Sequence, residues 1–104
     1  MSVRENLIKA KALIEDPKRW GKGDGFIAPR GCFCAESVCH EVAKTAADYI
    51  VKLAMWDALE KALPEPWRTK NLEEDMAVHH YNDAPETTHT DIMALFARAI
   101  EASE

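Results

Sequence analysis

The sequence predicts an all-α fold, a compact bundle of four to five helices, on three observations. Apolar residues recur at three- and four-residue spacing in several separate stretches. The heads of these stretches carry a hydroxyl or amide three residues before a carboxylate, and prolines stand at their tails. From Ala35 to Leu63 there is neither glycine nor proline, so nothing there interrupts a helix.

The elements follow in chain order. Leu7, Ala10, Leu13 and Ile14, with Val3 one turn earlier, mark a first helix over about Val3–Glu15. Ser2 and Glu5 form its capping box, and Asp16-Pro17 stops it because a residue before proline avoids the helical region. Residues 21–31 hold all four glycines and read as a glycine-rich loop or short hairpin with its turn at Asp24-Gly25. No phosphate-loop pattern stands there between a strand and a helix. Val38, Val42, Ala46, Tyr49, Leu53, Trp56, Leu59 and Leu63 then trace one face. They predict one long helix, or two separated by a kink near Thr45–Asp48, ended by Pro64-Glu65-Pro66. Asn71 and Glu74 cap a further helix, apolar at Leu72 and Met76, that ends near Tyr81. Thr88 and Asp91 cap the last, whose Ile92, Leu95, Phe96, Ala99 and Ile100 share one face. With short connections, neighbouring helices should pack antiparallel.

The 104 residues suit one domain spanning 1–104. With 47% hydrophobic and 30% charged residues, the chain has the composition of a globular protein and not of a disordered one. No apolar run approaches the ~20 residues of a membrane span. The first residues carry an acid where a secretory signal would be apolar, and the three cysteines are an odd number, so a cytoplasmic protein with reduced thiols is expected. The net charge of -5 disfavours general nucleic-acid binding, which needs clustered cations. Charge is uneven: residues 1–30 carry seven bases and four acids, the remainder six bases and fourteen acids. Trp20, Arg19 and Arg30 lie in the basic part as candidate contacts for a ligand or partner, against the plainer reading of a solvated loop.

Cys32, Cys39 and His40 are candidate metal ligands, since soft sulfur and imidazole suit zinc. The C-x-C-x-x-x-x-C-H spacing is not a zinc knuckle, however, and on a helix Cys39 and His40 point about 100° apart. Buried thiols and a surface histidine are the better expectation, with no metal and no cofactor. Cys34 precedes a helix whose dipole would favour the thiolate, and as a nucleophile it would need an imidazole from His79, His80 or His89.

The run from Tyr81 to Asp91 concentrates polar chemistry around a helix–helix turn. Asn82, Asp83 and His89 are the candidate catalytic side chains there. The structural account competes with them: Asn82 and Asp83 end one helix through Asx turns, and Thr88 with Asp91 starts the next.

Tyr81-Asn82-Asp83-Ala84-Pro85-x-Thr87-Thr88-His89-x-Asp91, closing on Leu95-Phe96-x-x-Ala99-Ile100, resembles the C-terminal signature of a family of small bacterial and phage proteins of unknown function. Ala12-Leu13-Ile14-x-x-Pro17-x-Arg19-Trp20 is similar to that family's opening, and Phe33-Cys34-Ala35 to its central segment. The chain departs from the pattern at Ser37, where the family commonly has glycine. The resemblance implies a small single-domain protein and brings no activity with it. Acidic charge, small size and the lack of a complete catalytic set favour a non-enzymatic interaction or regulatory protein that binds an unknown protein partner or forms a homo-oligomer; Trp56 or Trp67 are its candidate anchors where exposed, against an equal or better reading of both as core residues. The alternatives are a small enzyme or ligand-binding protein using Cys34 with the Asn82–Asp91 turn, and a zinc-binding regulator.

Overall fold

Helix α1 (Val3–Leu13) turns Leu7 and Ala10 inward, and Ile14 follows them into the core. In the computed structural model, which describes residues 3–21, 33–43, 49–64, 67 and 77–103 and all their side chains except those of Glu36 and His79, its end comes two residues before the expected Glu15. The last turn tightens, with Ile14 N–H donating to Lys11 O and Glu15 N–H to Ala12 O. Asp16 then starts a short 3-10 turn, Pro17–Arg19, its carboxylate accepting from Lys18 N–H at 3.0 Å. Pro17 occupies the first position, where a missing N–H costs nothing. Ser2, and with it the expected first capping box, lies outside the described residues.

From that turn the chain is extended over Trp20 and Gly21 and pairs with Phe33 by a single parallel bridge. Phe33 N–H donates to Arg19 O at 2.7 Å, and Gly21 N–H to Phe33 O at 3.1 Å. The segment between them, with the expected Asp24-Gly25 turn, lies outside the described residues.

The glycine-free stretch forms two helices, α2 (Ala35–Val42) and α3 (Tyr49–Lys61). The single stripe read from the sequence does not continue through both. Its Val38 on α2, Leu59 on α3 and the following Leu63 are buried as expected, but Tyr49 and Leu53 at the start of α3 face solvent, and Met55, off the stripe, enters the core. A break between two helices resets the angular phase, so spacing counted across it no longer identifies one face. Helix α4 (Ala77–Asp83) runs two residues past the expected end, and α5 (His89–Ala102) starts where its cap predicted.

Five α-helices and no strand make up the regular structure of the described residues, so the fold is all-α. All five helices place side chains in one core, with Phe96, Leu95 and Ile92 of α5 fully buried against Leu7, Met55 and Leu59. Helix α1 packs on α5, α2 and α3, and α4 on α2 and α3. Helices α1 and α5 run antiparallel: Ile14 after the end of α1 meets His89 at the start of α5, and Val3 shares a surface cleft with Ala102 and Ser103.

Candidate functional site

The polar residues singled out in the sequence meet around one side chain, Asn82. It lies in the last turn of α4 with no exposed surface. Its Oδ1 accepts from Trp20 Nε1–H at 2.6 Å and from Ala35 N–H at 3.0 Å. Its Nδ2 donates to Gly21 O and to Asp83 Oδ1, both at 3.1 Å. The partners fix the orientation of the amide, since an indole and a backbone N–H can only donate and a backbone carbonyl can only accept. Two acceptor and two donor positions are all that an amide has, and all four are occupied. Asn82 thus ties the end of α4 to the start of α2 and to the extended Trp20–Gly21 segment. This is not the Asx turn expected of it: the partners of Oδ1 are 62 and 47 residues away in sequence.

Cys34 stands at the head of α2 and is 1% exposed. It forms a capping box with Ser37: Ser37 N–H donates to Cys34 Sγ at 3.3 Å, and Cys34 N–H to Ser37 Oγ at 2.9 Å. The helix therefore uses the sulfur as a cap, the place where an oxygen-bearing side chain is usual. Ala35 N–H, the next orphan donor of that helix start, is the one that Asn82 accepts.

His89, the first residue of α5, is half-buried, with Nε2 2.7 Å from Ile14 O. A carbonyl can only accept, so Nε2 carries the proton. The imidazole ring lies 5.9 Å from the Trp20 indole, centroid to centroid. Cys34, Asn82, Trp20 and His89 are thereby linked in one chain of contacts, in which Trp20 stands between the amide and the imidazole. Thr88 and Asp91 complete the expected capping box, with Asp91 N–H to Thr88 Oγ1 at 3.2 Å and Thr88 N–H to Asp91 Oδ2 at 2.9 Å. Thr87, just before it, is buried, and its hydroxyl has no hydrogen-bond partner among the described residues.

The other candidates sit elsewhere or in other roles. Arg19 is exposed and gives its carbonyl to the bridge with Phe33. Arg30 and Cys32 lie outside the described residues. Cys39 is buried, its thiol 3.5 Å from Ala35 O. His40 is half-buried, and its Nδ1 lies 3.4 Å from Lys52 Nζ, an ammonium that also stands over the rings of Tyr49 and Trp56. Among the described residues no three His, Cys, Asp or Glu side chains gather as a metal site. Trp56 and Trp67, read either as exposed anchors or as core residues, are both half-buried and packed against the core, and Trp67 lies edge-on to Tyr81. Burial, and secondarily the charge of Asp91, pushes the Tyr81 phenol up from its ordinary pKa.

Sequence reasoning missed Gly21, Phe33 and Ser37. Their contributions are a carbonyl, a backbone pair and a local hydroxyl, and side-chain chemistry announces only the last of these. The fold and this polar centre accompany membership of a known family. The chain belongs to a family of unknown function, DUF6197, whose model matches residues 1–102. No curated protein and no solved structure matches it.

Proposed function

We propose that this chain is a non-enzymatic interaction or regulatory protein, a single helical domain of the bacterial or phage cytoplasm. One observation carries the reading: the Asn82 amide, at the centre of the distinctive polar residues, is hydrogen-bonded at all four positions within the chain. A group that binds or polarises a substrate needs a free donor or acceptor to offer it. The neighbouring groups support the same reading. Cys34 Sγ caps α2, and His89 Nε2–H is committed to Ile14 O. Meanwhile Ile8, Tyr49, Ile50 and Leu53 are exposed, Ile50 at 79%. Large apolar side chains in water favour contact with another surface.

Thiol chemistry tests the reading against the enzyme alternative. In a Cys32→Ser background, Cys34 should be labelled by a neutral disulfide reagent only as fast as the protein unfolds, together with the buried Cys39. Rapid labelling of Cys34 alone in the native protein, retained at mildly acidic pH, would mark an activated thiolate. That result would replace the interaction reading with the cysteine-based alternative.

A further inference from the structure

We draw no further inference here: the strongest candidate, the exposed apolar patch of Tyr49, Ile50 and Leu53 at the start of α3, beside the Lys52 ammonium held over the Tyr49 and Trp56 rings, carries nothing because the structure does not show what covers it.

Discussion

Helices α2 and α5 begin with the same device in opposite surroundings. In each, the cap side chain accepts from the N–H three residues on, and that residue's side chain accepts from the cap N–H. At α5 the two residues are Thr88 and Asp91, a hydroxyl and a carboxylate at the surface. At α2 they are Cys34 and Ser37, both buried. Water can satisfy whatever donors an exposed box leaves over, but it cannot reach a buried one. The buried start therefore needs a further acceptor, and Asn82 supplies it to Ala35 N–H from another helix. A helix start can be closed locally when it is wet and must be closed by tertiary structure when it is dry.

Removing that tertiary acceptor should have the largest effect. Asn82→Ala leaves Ala35 N–H without a partner in the interior and releases Trp20 Nε1–H and Gly21 O together. A buried orphan donor costs about 1–3 kcal/mol, and with two further groups released the total should reach about 3 kcal/mol or more. Thermal melting should fall by more than about 10 °C. Trp20 fluorescence should report the loss of the indole hydrogen bond before the global transition. A loss below about 1 kcal/mol would mean that α2 starts as independently as α5, and the contrast between the two ends would disappear.

The same contrast explains what could be read in advance. The α5 start is legible because Thr88, Asp91 and the stripe of Ile92, Leu95, Phe96 and Ala99 obey rules that hold within a few residues. The hub at Asn82 was not legible, since its Trp20 and Ala35 partners are defined only after α1, α2 and α4 have packed. Sequence marks Asn82 as a polar residue in an unusual run, and local chemistry assigned it to a turn. The outer face of α3 failed for a related reason. Tyr49 and Leu53 fit a stripe begun on α2 but face solvent, whereas its later members Leu59 and Leu63 do enter the core, together with Met55, which the stripe left out.

At the surface end, two neighbouring substitutions sharpen the comparison. His89→Ala removes a half-buried donor from Ile14 O and a ring packed beside Trp20, and should cost about 1–2 kcal/mol. Thr88→Ala removes only the local cap and should cost about 0.5–2 kcal/mol, typically near 1. Asp91→Asn should cost less, because the amide keeps an acceptor oxygen and gives up only the charge that favours a helix N-terminus. Melting curves of the three variants should therefore rank His89→Ala at or above Thr88→Ala, and Asp91→Asn lowest. A silent His89→Ala would separate α5 from α1 and detach the imidazole from the polar centre.

The smallest change should come from Cys34→Ser, and it bears most directly on why a thiol stands at the buried start. Sulfur is a weak acceptor, and Ser37 N–H reaches it at 3.3 Å. A hydroxyl is the better cap but is costlier to bury. Here it would meet Ser37 N–H and the Ser37 hydroxyl, so its polarity is matched. The two effects oppose each other, and the net change in stability should lie within about 0.5 kcal/mol of zero. Cys34→Ala keeps the burial and removes the acceptor, so it should cost about 1 kcal/mol, like the loss of any cap. The pair of variants separates two roles. If Cys34 serves α2 as a cap, serine replaces it and alanine does not. If both substitutions cost the same, the sulfur contributes by filling space, and α2 depends for its start on Asn82 alone.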